Sequence, residues 1–393
     1  MNSTRRNVGL LAACQAMLFT NNTTLIAING LAGLALAPYR GLATLPVTCW
    51  IIGGALATMP ASLHMKRVGR QRGLTSGIAW GVVGALICAT AMYLQSFWVL
   101  CLGTMVWGVY NAYGQYYRFA AADAASGNFK ATAISLVLAG GLVGGIIGPN
   151  LSRYTIDLLP QKFMGAYLAL IGFALVSMVL LRLIRIPNPS AAERAATGRP
   201  LSEIAAQPRF IVAVLAGALG YGVMNFLMTS TPIAMGVCGH PYSDAAFVIS
   251  SHVVAMFAPS FVTGALIKRL GVLTVMFFGA LLNLAAIGVA LSGISVAHFW
   301  VSLVALGVGW NFLYIGGTTL LTETYRPEER AKAQGTNDQA IFIMMAISSF
   351  TSGLTVTSSG WERVNLFALP LVALVAAAIV WYGLHTRTAK AAA

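Results

Sequence analysis

Charge is what this chain has least of. Only 9% of its 393 residues are Asp, Glu, Lys or Arg, against about 25% in soluble domains. Acids are scarcer still, ten against 24 basic residues. The five cysteines (Cys14, Cys49, Cys88, Cys101, Cys238) form no CxxC pair and no metal-ligand spacing. There is no HExxH, no Cys/His cluster, no pair of carboxylates at membrane depth and no GxSxG elbow, which argues against a membrane hydrolase. No connection is long enough for a soluble catalytic or output domain, which argues against a receptor. The basic residues never gather on one soluble stretch, which excludes a nucleic-acid partner.

Apolar sequence fills the space that charge leaves. Hydrophobic residues make up 58% of the chain and the mean hydropathy is +0.78. About 20 helical residues cross a hydrocarbon core of about 30 Å. Twelve runs of that length recur, near 8–34, 42–63, 73–94, 97–119, 131–151, 163–184, 209–235, 245–267, 272–293, 298–321, 333–356 and 363–384. The first begins beside Leu11-Ala12-Ala13-Cys14, which resembles a cleavage box. Only Val8–Leu11 precede it as an apolar core, too few for a signal peptide, so an uncleaved first helix is expected. The fold class is an all-α polytopic membrane protein.

The chain also repeats itself. Ser62–Arg72 is a short basic hinge between two apolar runs, and Gly264–Val272 restates it 202 residues later. Lys66, Arg67 and Gly69 align with Lys268, Arg269 and Gly271, and Phe97-Trp98 with Phe299-Trp300. A fixed offset marks two related halves. They divide as residues 1–184, a linker 185–208 carrying Pro187, Pro189, Gly198 and Pro200, and residues 209–393. A short surface helix is expected near Ser202-Glu203. Positive loops stay in the cytoplasm. With the N-terminus inside, 20 of the 24 basic residues lie inside, and only Arg40, Arg153, Lys162 and Arg363 lie outside. Both termini are expected in the cytoplasm of a cell inner-membrane protein, its basic ends meeting anionic lipid headgroups.

Twelve spans, a six-plus-six repeat, a long central inner loop and basic hinges after spans 2 and 8 resemble the major facilitator superfamily. That family's hinge runs Gly-x-x-x-Asp-Arg-x-Gly-Arg-Arg/Lys. Here it reads Ser62-x-x-x-Lys66-Arg67-x-Gly69-Arg70-Gln71-Arg72, with Lys66 and Lys268 at the acid position. The resemblance implies alternating access about a midplane site, with Lys66, Arg67, Gly69, Arg70, Lys268, Arg269 and Gly271 as gating hinges. Span 5 carries Gly140, Gly141, Gly144, Gly145, Gly148 and Pro149. This stretch partly resembles a motif of the family's antiporters, but reads better as a packing face.

The resemblance further implies that spans 1, 4, 7 and 10 line a cavity. Their midpoints fall near Asn21-Asn22, Tyr110-Asn111, Tyr221-Asn225 and Trp310-Asn311. An amide in hydrocarbon needs protein or water as partner. The candidate substrate-binding residues are therefore Asn21, Asn22, Tyr110, Asn111, Tyr113, Tyr221, Asn225, Trp310, Asn311 and Tyr314, with Gln15 behind them. His252 is the one deep histidine and the candidate coupling residue. No acid sits at mid-membrane; Asp338 and Glu323 come closest. Arg118 is expected to pair with Asp123 or a headgroup. No cofactor or metal is expected.

The expected solute is small, neutral or weakly polar and ring-bearing: a vitamin, nucleoside, flavin or hydrophobic drug. Tyr116–Ala125 and Gly307–Gln339 look like a bacterial subgroup of the family associated with riboflavin uptake. A secondary transporter, best read as a riboflavin importer acting as a monomer, is the expectation. Proton-coupled efflux of drugs or hydrophobic metabolites is the alternative.

Overall fold

The computed structural model of the protein describes residues 3–39, 42–125, 129–186, 196 and 198–391. Arg40, Pro187 and Pro189, singled out above, lie outside the described residues. The chain forms two compact units.

The first unit comprises Met1–Thr197 with Arg330–Phe342. Its helices are α1 (Ser3–Leu36), α2 (Leu45–Val68), α3 (Arg70–Tyr93), α4 (Phe97–Gly114), α5 (Tyr117–Ala124), α6 (Lys130–Thr155) and α7 (Met164–Arg182). The second comprises Gly198–Glu329 with Ile343–Ala393. It holds α8 (Leu201–Ala205), α9 (Pro208–Val237), α10 (Tyr242–Phe257), α11 (Ser260–Leu270), α12 (Val272–Ser292) and α13 (Val296–Leu321). A final helix, α14 (Arg330–Ala391), starts in the first unit and belongs to the second from Ile343 onward.

These elements account for the twelve expected spans. Nine helices are long and apolar enough to cross a membrane among the described residues, and α10 with α11 makes a tenth, bent by 42°. The bend falls at Ala258-Pro259 inside an expected continuous span. Proline has no N–H to give and clashes with the preceding turn. Helix α14 is two spans joined without a loop, broken at Gly360, whose φ of 79° a side chain rarely tolerates. The remaining span, α4, is 18 residues long and stops at Gly114. The expected run to residue 119 is interrupted there, and α5 resumes at Tyr117. The expected linker helix is α8, entered at Pro200 rather than Ser202.

Within the first unit, α1 and α6 lie backbone to backbone. A Cβ placed on Gly140 would collide with the Ala12 carbonyl, and on Gly148 with Thr23 Oγ1. Thr23 Oγ1 donates to the Gly144 carbonyl at 3.0 Å, and Thr24 Oγ1 to that of Gly148 at 3.0 Å. The glycine stripe is thus a small-residue seam of the kind that draws membrane helices together. Apolar side chains such as Leu86, Leu102, Phe261, Phe278, Ile347 and Phe350 are exposed, the outward face a lipid solvent requires.

Candidate functional site

In the second unit, spans 7 and 10 bring three of the expected aromatics together. Trp310 and Tyr314 stack at 4.9 Å with planes 16° apart. Spacing of four places them on one face of α13. Tyr221 of α9 meets both edge-on, at 5.3 and 5.5 Å, the arrangement ring quadrupoles favour. Phe257, at the end of α10, closes the cluster against Trp310 at 5.8 Å. Trp310 is 1% exposed and its indole N–H has no hydrogen-bond partner among the described residues. Tyr221 is only half-buried.

The amides of this unit are engaged with neighbouring helices. Asn225 Nδ2 donates to Ser348 Oγ at 2.8 Å and to the Met345 carbonyl at 3.3 Å. Asn311 is used completely: Nδ2 donates to the Met256 carbonyl and to Ser260 Oγ, both at 2.6 Å, and Oδ1 accepts from Thr263 Oγ1 at 2.7 Å. All three partners flank the α10–α11 bend, so Asn311 satisfies polar groups that the break would leave in hydrocarbon. His252 is fully buried, with Nδ1 2.7 Å from the Leu303 carbonyl and Nε2 unpartnered among the described residues.

In the first unit the expected residues divide into three sets. Asn22 and Asn111 face each other, Nδ2 of the first donating to Oδ1 of the second at 2.8 Å. Asn21 and Tyr110 converge with Ser177 of α7. All three are buried, and among the described residues none closes a hydrogen bond of regular geometry through its amide or hydroxyl. Tyr113 turns away instead, covering Gly77 of α3 and meeting the His64 ring of α2 edge-on at 6.1 Å. Gln15 is buried on α1.

The two hinges have the same backbone but different surroundings. Gly69 (φ 91°) ends α2 and starts α3, and Gly271 (φ 85°) ends α11 and starts α12. Both need the left-handed conformation that glycine supplies. Lys268 and Arg269 are exposed. In the first unit, Arg67 is exposed, Lys66 donates to the Ala196 carbonyl at 2.7 Å, and Arg70 is buried. Arg70 Nε meets Asp123 at 3.0 Å, and its Nη2 donates to Gln334 Oε1. Asp123 also takes Arg330 at 3.3 Å.

Here one expectation is corrected. Arg118 pairs with Asp338, not with Asp123 or a headgroup, and both partners are 1% exposed. Asn337 donates to the same carboxylate at 2.8 Å, and Arg118 donates to the Gln115 carbonyl at 2.8 Å. Asp338 sits eight residues into α14, so the start of that helix carries an acid to the end of α4. Sequence reasoning also missed Gln334, Asp123 as partner of Arg70, and the Ser260–Thr263 polar turn. The usable signals were a proline inside span 8 and an acid just inside span 11.

Two six-span units, each with polar and aromatic groups at mid-helix and a glycine-pivoted basic hinge, define a multi-pass secondary transporter. The Major Facilitator Superfamily model matches residues 11–310 and 238–393, and the chain belongs to that family, whose members carry small molecules across membranes and are not enzymes. It is 43% identical to the riboflavin transporter RfnT of Brucella anthropi (strain ATCC 49188) over 94% of both chains. It is 28% identical to the uncharacterized transporter YddS of Bacillus subtilis (strain 168), over 91% of this chain and 86% of that one. Among solved structures, the fold resembles the family transporter FucP in its outward conformation, with a TM-score of 0.78 at 17% identity over 97% and 99% of the two chains. A bacterial homologue of the iron transporter ferroportin has a TM-score of 0.76 at 13% identity, over 96% and 99%.

Proposed function

We propose that this chain takes up riboflavin, or a flavin close to it, by alternating access. The observation that carries the reading is the 43% identity, end to end, with a relative named a riboflavin transporter. Local chemistry supports it. Stacked Trp310 and Tyr314, edged by the half-buried Tyr221, suit a planar isoalloxazine ring. The unpartnered Trp310 N–H suits a ring carbonyl. Within the second unit Asn225 supplies a hydroxyl-matching group, with Asn311 holding the α10–α11 bend beside the rings; within the first, Asn21, Asn22, Tyr110, Asn111 and Tyr113 are the groups of matching chemistry. His252 is the coupling candidate, and the paired glycine hinges are the gating elements. The glycine stripe that raised drug efflux is occupied by packing on α1.

Halves bounded at residues 184 and 209, a monomeric state, an inner-membrane location and cytoplasmic termini complete the proposal. The bias of Lys and Arg toward one set of loops supports the orientation, and the exposed apolar side chains with basic ends suit surrounding lipid. Riboflavin fluorescence tests the site. Titrating the purified protein should quench it saturably, and Trp310→Ala should weaken binding at least tenfold. Quenching unchanged in that variant would move the site elsewhere.

A further inference from the structure

Helices α2 and α4 run in parallel along a seam of backbone contact, and the register can be read contact by contact. Tyr116 Oη, just past α4, donates to the Thr58 carbonyl at 3.0 Å. Gly108 packs on the Trp50 carbonyl and the Gly54 amide, and Gly53 on the Met105 carbonyl, so closely that a Cβ at either glycine would collide. One turn before Gly53 and Met105 come Cys49 and Cys101, the fifth residues of their helices. They are neighbours across the seam, one turn from its closest backbone contacts. Cys49 is partly exposed, and Cys101 is 6% exposed. A disulfide needs Cβ atoms about 3.8 Å apart, a separation suited to helices whose backbones touch one turn away. The third nearby thiol, Cys88 of α3, is fully buried and faces Gly103.

We propose that Cys49 and Cys101 form a reversible, oxidation-sensitive disulfide that staples α2 to α4 at the end opposite the basic hinge. Each cysteine loses its S–H hydrogen as the S–S bond forms. The two electrons and two protons pass to a low-molecular-weight disulfide, which is cleaved to two thiols. Under the orientation proposed above, this end faces away from the cytoplasm, where thiols meet oxidants.

The test treats the purified full-length protein with oxidised glutathione, then counts thiols under denaturing conditions and maps peptides by mass spectrometry. Two of the five thiols should disappear, return with dithiothreitol, and map to one peptide pair containing residues 49 and 101. Cys49→Ala should retain every remaining thiol, and Cys88→Ala should still lose two. All five thiols staying reactive, a bridge from Cys88 to Cys101, or a bridge between two chains would overturn the proposal. Treating intact cells separates the pair from the orientation. A bridge in purified protein but none in cells keeps the disulfide and contradicts the assigned sidedness.

Discussion

Arg118 and Asp338 show what a single residue contributes here. Each is almost wholly buried, and a charge removed from water is tolerated only with a partner. Removing one member of such a pair costs about 3–5 kcal/mol, whereas replacing both by apolar groups of similar volume is close to neutral. Asp338→Leu or Arg118→Met alone should therefore lower the thermal midpoint by many degrees in detergent. The double variant should recover most of the loss, and a double variant no better than either single would show that the two do not depend on each other. Asn311→Ala leaves Ser260, Thr263 and the Met256 carbonyl without their shared partner, at about 1–3 kcal/mol for a buried group left unsatisfied. It should lower the midpoint while the folded fraction still binds riboflavin; unchanged stability would contradict the bridging role. The five mid-span amides were legible as residues that need partners, because hydrocarbon offers none. Which partners they take was not, since Ser260 and Ser348 lie far from them in sequence and a span's hydropathy says nothing about rotation.

Elements were more legible, since helices in lipid must satisfy their own backbone and their length follows from the bilayer. Glycine spacing in span 5 announced a close helix contact, and α1 provides it. Gly144→Val should force α1 and α6 apart and lower expression of folded protein several-fold, while Gly172→Val, at a glycine with open space around it, should be tolerated. Equal effects would sink the seam. The interruptions were less visible: Pro259 marked the α10–α11 bend, whereas the end of α4 at Gly114 has no proline to announce it. The segment before α14 is tied electrostatically. Arg199 Nε and Nη2 hold Glu329 at 2.8 and 2.7 Å and pull its carboxyl down to about 2. A depressed carboxyl contributes stability above its unfolded value of about 4.3 and loses it as pH falls through the folded value. The stability gap between wild type and Glu329→Gln should stay constant from about pH 8 to pH 5 and close toward pH 2. A gap that opened on acidification would reverse the assignment.

For the whole molecule, the repeat at an offset of 202 residues foretold two hinges with one backbone, and Gly69 and Gly271 have nearly the same φ. Their side chains have diverged. Arg70 of the first hinge is buried against Asp123 and Gln334, and Lys268 and Arg269 of the second lie exposed. Lys66, where the family pattern has an acid, donates to a linker carbonyl instead, and the acids beside this hinge come from Asp123 and Asp338. Lys66→Asp should therefore fold and transport, and loss of transport in a protein that folds normally would give Lys66 a role of its own.

The central claim is that this transporter takes up riboflavin on the Trp310 stack. Its most direct test is uptake of labelled riboflavin by a bacterial riboflavin auxotroph expressing the chain, beside the same strain expressing Trp310→Ala. Saturable uptake that falls at least tenfold in the variant, at equal protein in the membrane, is the predicted result. Absent uptake by wild-type protein in the membrane, or uptake that Trp310→Ala leaves unchanged, would contradict it.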